Sequence, residues 1–492
     1  QPIIDSNVSV KSLTLNASTS LTVNSGKNLT ITGALANSGT MTLESNANLI
    51  QGGTTNTNTG NIIVKRNSNA LSRLDFTLWS SPVTGSQTLA GFSPLTSQDP
   101  SRFYSYNEAT NAYNAILTPT STTFASAQGY LIRVPNDHTA STIWNGSFSG
   151  VPNNGTITKA VAYTDVTKGY NAIGNPYPST INAEAFITTN TANIESSLYF
   201  WRKVNAADGS AYAVYNPMGS TTATPSSAVP NGTIQVGQGF IVKAKSASSV
   251  NFTNEMRVTN IDNQFFKTKA AQKDRLWLNL TNATGAFSQA LIGYTADATS
   301  GVDMYDAKYI NDSPIALTSS INNEEYSIQG RPAFDATDVV ALNFKTDVAG
   351  DYTLALDRFD GVFATGQDVY LVDSKTGAET NLKDGGYTFN ATVGTDNTRF
   401  SLKFQKTLKV IDAALDNNSV SVYLNNGAIH INSRSAAINS VKVFDVQGRL
   451  LTEQRNVNAN TAVISNLRAK NQILIVNVVG EDNSEVSKKI MN

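Results

Sequence analysis

The chain has 492 residues, with 36 Lys and Arg against 37 Asp and Glu, two histidines and no cysteine. Its length suggests about three domains, and its balanced charge leaves no basic surface to neutralise phosphates, so nucleic acid and anionic membrane are set aside as main partners. Without cysteine there are no disulfides, thiolate nucleophiles, iron–sulfur clusters or Cys-containing zinc sites, and no cofactor is expected. With only His138 and His430, oxygen-ligand ions such as calcium are the metals left open, but no calcium loop is recognisable.

The chain begins at Gln1 with no charged start and apolar stretch, which points to a removed leader and a secreted protein, extracellular or on the outer cell surface. No apolar run reaches the ~18 residues of a membrane helix. Residues 1–65 contain no aromatic residue and read as short triplets such as Leu13-Thr14-Leu15, Leu21-Thr22-Val23, Leu29-Thr30-Ile31 and Met41-Thr42-Leu43. The outer residues of each triplet share one face of a strand. Leu21 to Met41 and Leu29 to Leu49 are both twenty-residue steps, which predicts a short β-solenoid with two strands per rung. Two ordinary hairpins are the alternative. The first rung, near Ile3 to Val10, exposes an edge through which chains could self-associate, head to tail, into a filament.

Residues 66–265 carry a duplication. Phe76-Thr77-Leu78-Trp79-Ser80-Ser81-Pro82 is echoed by Tyr170-Asn171-Ala172-Ile173-Gly174-Asn175-Pro176. Gln128-Gly129-Tyr130-Leu131-Ile132-Arg133-Val134 is echoed by Gln238-Gly239-Phe240-Ile241-Val242-Lys243-Ala244. Two related all-β halves are expected, each with an aromatic hairpin; Tyr104, Tyr106, Tyr199 and Trp201 form a candidate glycan platform. Ala183 to Ile187 predicts one helical turn. The basic stretch Phe265 to Arg275 reads as a linker, with a processing site second. Residues 266–407, alternating segments between Gly, Asn and Asp turns, predict a β-sandwich. Residues 408–492 predict a small β-sandwich of clear hairpins, one turning at Asn425-Asn426-Gly427, where Asn-Gly supplies the positive φ of a tight turn. The fold class is therefore all-β, a short N-terminal β-solenoid followed by several sandwich-like domains.

Val441 to Leu451, Ile464-Ser465-Asn466-Leu467, Asn471 to Val476 and the terminal Lys488-Lys489-Ile490 resemble the C-terminal sorting domain of type IX secretion substrates in Bacteroidetes-type bacteria. The Asn-Gln-Ile-Leu stretch is closer to the type C variant. The resemblance implies an Ig-like sandwich, Sec export, passage through the outer-membrane type IX translocon, recognition by its shuttle β-barrel, and usual removal of the domain as cargo is anchored. It places the sorting signal on Val441, Val443, Phe444, Asp445, Gly448, Arg449, Leu450, Lys488, Lys489 and Ile490. Gly174 to Pro178 and Asn254-Glu255-Met256-Arg257 are similar to segments of large surface proteins carrying this domain, and imply no chemistry.

Catalytic readings are weaker. In Gly146-Ser147-Phe148-Ser149-Gly150 a phenylalanine stands where an elbow nucleophile would be. Glu324 and Glu325 are adjacent, so on a strand they face opposite sides. His138 reads as a loop residue, Asp303/Asp306 and Asp357/Asp360 as turns, with a calcium site the alternative although neither matches a calcium-loop pattern, and Gly237-Gln238-Gly239 opens a strand instead of a phosphate-binding helix. No enzyme activity is expected. A secreted, non-enzymatic structural protein of the surface or a filament, exported by type IX secretion, is the first functional reading; a glycan-binding surface adhesin is the alternative.

Overall fold

The computed structural model describes residues 2–138, 141–202, 209–224, 229–259, 273–406, 414–465, 467 and 471–491. These belong to two units, Gln1–Lys406 and Thr407–Asn492, so the three stretches expected as separate domains before residue 407 share one unit. The chain is all-β: beside its many strands it has two short α-helices and three 3-10 turns among the described residues.

At the N-terminus, short apolar runs cut by Asn, Ser and Gly turns form strands of a few residues, each paired in parallel with the strand one turn further on. Ile3–Ile4, Ser20–Val23, Thr40–Leu43 and Ile62–Leu71 make one ladder; Val8–Val10, Asn28–Ile31 and Asn48–Gln51 a second; Leu13–Leu15 and Leu35–Asn37 a third. Leu21 lies beside Met41 and Leu29 beside Leu49, so the twenty-residue step is the ladder register. Each of the first two turns carries three strands where two were expected. The third strand, Leu35-Ala36-Asn37, has one large apolar residue and so little pattern. Inside the coil Val23, Ile31, Leu35, Met41, Leu43 and Leu49 are fully buried. Buried amides stack with them: Asn48 Nδ2 donates to Asn28 Oδ1 at 2.8 Å, and Asn28 Nδ2 to Asn7 Oδ1 at 3.0 Å. Such a ladder satisfies polar groups that would otherwise be costly to bury.

The duplicated motifs form the same pairings. Phe76–Trp79 lies antiparallel to Tyr130–Arg133, with Phe76 opposite Arg133; Tyr170–Gly174 lies antiparallel to Gly239–Ala244, with Tyr170 opposite Lys243. The aromatic strands repeat the relation, Tyr104 opposite Leu131 and Tyr199 opposite Ile241. The halves then exchange contacts about a pseudo-twofold axis: Trp79 bridges Gln238 and Gln128 bridges Ile173. Glycine is required there. A Cβ on Gly129 would sit 2.9 Å from the Ile173 carbonyl oxygen, and one on Gly239 would sit 2.7 Å from Leu78 Cγ. The helix expected to be one turn is Ala183–Asn190, held at its start by Asn182, whose side chain accepts from the Ala185 N–H at 2.8 Å.

The expected linker falls largely at 260–272, outside the described residues. Arg275 is no linker residue: it lies in the strand Asp274–Asn282 and forms an ion pair with Asp360. The region from 266 to 407 is sandwich-like as expected, with its eleven strands joined in one continuous sheet. It wraps one core, to which both halves contribute, including Leu278, Ile292, Leu342, Leu354, Phe389 and Phe400.

In the second unit, three strands (Val420–Asn425, Ala428–Ser433, Thr461–Ile464) face four (Leu450–Ala459, Ile438–Asp445, Ile473–Gly480, Glu485–Met491) across an aliphatic core with Ile431, Val441, Val443, Val476 and Val478. The Asn426-Gly427 turn has φ of 49° and 75°, the left-handed pair a two-residue hairpin needs. No helix among the described residues is long and apolar enough to cross a membrane.

Candidate functional site

The strand Ile62–Leu71 leaves the last turn of the coil and pairs with both Thr40–Leu43 and Thr142–Pro152, carrying Arg66 to the edge of the duplicated region. Phe76–Trp79 supplies one wall, Ile194–Trp201 ends at the opposite wall and delivers Trp201 and Arg202, and the turn from Gln235 to Gln238 closes a third side. Together they surround a cleft of about 690 Å³. Gly237, at φ 73°, lets that turn lie against Arg66: a Cβ there would be 3.5 Å from Arg66 Cγ and 3.0 Å from Phe148 Cε2.

The charge in this cleft has one sign. Arg66 and Arg202 line it, and no aspartate or glutamate does among the described residues. Arg66 donates to Asn46 Oδ1; burial, and then the charge of Arg202, push its pKa down to about 10. Burial also lowers the pKa of Arg202. Two side-chain donors are buried without a hydrogen-bond partner, Arg202 Nε and Trp201 Nε1. Burying such groups unsatisfied is costly. Asn67, Asn69 and Gln235 add amides to the lining. A second hollow of about 350 Å³ shares Phe76 and Trp201 with the first and adds Tyr104, Tyr113 and Leu131. Asp75 also lines it, its carboxylate accepting from the Ser72 N–H at 2.7 Å.

The four residues of the expected glycan platform do not act as one surface. Tyr199 is 0% exposed and its hydroxyl donates to the Lys308 carbonyl at 2.8 Å, so it belongs to the core and cannot offer a face to a ligand. Tyr106 packs edge-on against Tyr113 at 5.0 Å, and Tyr104 against Phe76 at 5.8 Å. Trp201 is the member that reaches the large cleft, supported edge-on by Tyr113 and Tyr212 at 5.8 and 5.5 Å. The two arginines were not singled out from the sequence. Their signal was present: Lys65-Arg66 is a basic pair closing a charge-poor stretch, and Arg202 follows the last aromatic of its strand.

The acidic and histidine candidates have structural partners. Glu324 pairs with Lys308 at 2.7 Å while Glu325 accepts from Thr318. His138 Nε2 lies 3.1 Å from the Leu71 carbonyl, and His430 stacks on Tyr423. Asp306 accepts from the Asp303 and Gly330 N–H groups. Asp357 accepts from Asn279, and Asp360 pairs with Arg275. No cluster of three or more His, Asp or Glu able to hold a metal occurs among the described residues.

In the second unit, the residues of the expected sorting signal divide between core and surface. Val441 and Val443 are fully buried, so they belong to the core and present no surface to a partner. Asp445 is buried and locks the following turn: its Oδ1 accepts from the N–H groups of Gln447 and Arg449, both at 2.9 Å, and Arg449 Nε donates to its Oδ2 at 2.7 Å. Gly448 supplies the positive φ of 79°. Leu450, 51% exposed, lies opposite Phe444, Phe444 opposite Ile475, and Ile475 opposite Lys489. These four form one row across the outer face of the four-stranded sheet. Lys488 Nζ donates to the Asn417 carbonyl, and Ile490 packs against the core.

Residues 1–404 match the model of a family described as Domain of unknown function (DUF8693). The chain belongs to that family. Residues 408–492 of this DUF8693 member match a second model, Domain of unknown function (DUF8694). No curated protein matches. Among solved structures, the chain is similar to Tp47, the 47-kilodalton lipoprotein of Treponema pallidum, at 8% identity and a TM-score of 0.14, over 68% of this chain and 100% of that one. It is also similar to the BSP domain of a biofilm associated protein (10%, TM-score 0.13, 86% and 96%) and to the central fibronectin-III array of RIM-binding protein (10%, 0.12, 68% and 97%). At these scores the likenesses carry no argument.

Proposed function

We propose that this DUF8693 chain is an extracellular, non-enzymatic surface protein whose second unit is its export signal, read by a type IX translocon and its shuttle β-barrel. The observation that carries this reading is the outer-face row Leu450, Phe444, Ile475 and Lys489, with Phe444 half-buried and the others exposed, fixed beside a turn that Asp445 locks from within. A short apolar row ending in a cation on an outer sheet face is suited to recognition. A neutral reporter fused to residues 408–492 is expected in the medium or on the cell surface only where the translocon works, and Asp445→Ala in the full chain is expected to reduce export. Export that persists without the translocon refutes the reading.

A second reading, a glycan-binding adhesin, is supported by the cleft of the first unit, where Trp201 and Phe76 offer apolar faces beside several amides. Self-association through the first turn of the coil belongs to the structural side of the proposal. If Ile3–Ile4 and Val8–Val10 take a strand from another chain, Val8→Pro with Val10→Pro should lower the sedimentation coefficient at high concentration without changing tryptophan fluorescence. A wild-type chain that sediments as a monomer over the same range excludes it.

A further inference from the structure

We propose that the 690 Å³ cleft takes an acidic saccharide, with Arg66 and Arg202 meeting its carboxylate or sulfate and Trp201 lying against a sugar ring. The inference rests on the adhesin reading and deepens it by naming the ligand class.

Three independent features of the cleft converge on that chemistry. The first is charge: two guanidiniums share the cleft without a lining carboxylate among the described residues, and the positive charge of each is disfavoured by burial. Elsewhere in the same unit three arginines have anions beside them: Arg275 has Asp360, Arg331 has Asp338 and Arg399 has Asp373, and the buried Arg257 has neutral acceptors for all three of its nitrogens. Arg66 and Arg202 have no anion beside them among the described residues. A planar guanidinium matches a carboxylate or sulfate through two parallel hydrogen bonds, so an anionic ligand supplies what the fold omits. The second is unmet donors: Arg202 Nε and Trp201 Nε1 are buried with no partner, on consecutive residues at the end of one strand. A ligand bearing acceptors there satisfies both at once. The third is shape and lining: aromatic faces beside Asn67, Asn69 and Gln235 suit a molecule with C–H faces and a rim of hydroxyls. A nucleic acid or a phosphopeptide would also bring an anion, but the amide-rich walls favour many neutral hydroxyls per charge.

The test uses the full chain and calorimetric titration with three acidic probes: trigalacturonic acid, 3′-sialyllactose and a chondroitin sulfate tetrasaccharide. Their neutral counterparts are the methyl-esterified trigalacturonate, lactose and the desulfated, esterified tetrasaccharide. At least one acid is expected to bind about tenfold or more tighter than its neutral form. Arg202→Met should abolish that difference, Arg202→Lys should retain part of it because the charge stays while the fork is lost, and Trp201→Ala should weaken the acidic and neutral forms together. Near-UV circular dichroism of each variant separates a lost site from a lost fold, and Arg66→Lys repeats the test from the other wall. Equal affinity for an acid and its neutral form overturns the inference and leaves the adhesin reading intact. No binding of any saccharide overturns both, and binding of a phosphotyrosine peptide alone overturns both in favour of a different ligand class.

Discussion

Replacing Arg257 with methionine is expected to destabilise the first unit by about 3–5 kcal/mol, because it strips partners from several buried acceptors at once. Arg257 is buried and has no carboxylate among its hydrogen-bond partners. Its Nε donates to Ser179 Oγ at 2.9 Å, Nη1 to Asn154 Oδ1 at 2.9 Å and Asn254 Oδ1 at 3.1 Å, and Nη2 to the Leu49 carbonyl. Its guanidinium lies 4.7 Å from the centre of the Tyr177 ring, and Tyr177 in turn donates to the Gly155 carbonyl at 2.5 Å. Burial pushes the pKa of Arg257 down to about 9, so methionine relieves a desolvation cost. Each orphaned acceptor costs about 1–3 kcal/mol, and with several orphaned together the loss outweighs the relief. Lysine cannot reproduce a fork that reaches the coil and two loops, so Arg257→Lys should recover only part of the stability. All four tryptophans lie in the first unit, so urea unfolding followed by tryptophan fluorescence reads it directly. A midpoint unchanged in Arg257→Met contradicts the account.

The second large effect concerns the ion pair inside the eleven-stranded sheet. Arg399 Nη2 lies 2.8 Å from Asp373 Oδ2, with both side chains nearly or fully buried. Arg399 Nε donates to Oδ1 at 3.0 Å, and Tyr387 donates its hydroxyl hydrogen to Oδ2 at 2.8 Å. Asp373→Asn leaves a buried guanidinium without its counter-charge and is expected to cost about 3–5 kcal/mol, whereas the double change Asp373→Leu with Arg399→Met should cost less than the single one. Burial raises the Asp373 pKa, but the bonds from Arg399 and Tyr387 outweigh it and hold the carboxyl at about 2. Its folded pKa is therefore below its unfolded one. The stabilisation is present above about pH 4 and is lost as pH falls toward 2. Asp306 acts with the opposite sign: burial pushes it up to about 7, so its contribution is favourable at low pH and is lost as pH rises through about 4 to 7. Together they predict greatest stability of the first unit between about pH 4 and 5, with the acid-side fall reduced in Asp373→Asn and the fall on the neutral side reduced in Asp306→Asn.

What could be read from sequence was what repeats locally. The twenty-residue step from Leu21 to Met41 is a ladder register, and the echo of Phe76 in Tyr170 and Arg133 in Lys243 is repeated as a strand pairing. Asn426-Gly427 marks its turn because only a few residues tolerate positive φ there. The third strand of the first two coil turns escaped notice because Leu35-Ala36-Asn37 has little alternation. That the strands of this sandwich-like region join in one sheet was not legible, because period-two alternation shows which face is buried but not which strand lies alongside. Tyr199 was misplaced for a similar reason: an aromatic on a strand reads the same whether its neighbours cover it or not, and here it is buried in one apolar cluster with Leu291, Ala307 and Ile328. The cleft was invisible because Arg66 and Arg202 are distant in sequence and meet only after both halves of the duplication have closed.

The pseudo-twofold exchange also sets a clock. Trp79 needs Gln238 to complete its bridge, and Gln128 needs Ile173. About 160 residues separate the first pair, which at 5–20 residues per second is about 8–30 s of synthesis during which the strand Phe76–Trp79 lacks its final neighbour. Until then the open strands are targets for other chains, and also segments that have not yet committed to a folded state. A molecule built this way finishes late, and whatever holds it unfolded in that interval decides where it folds.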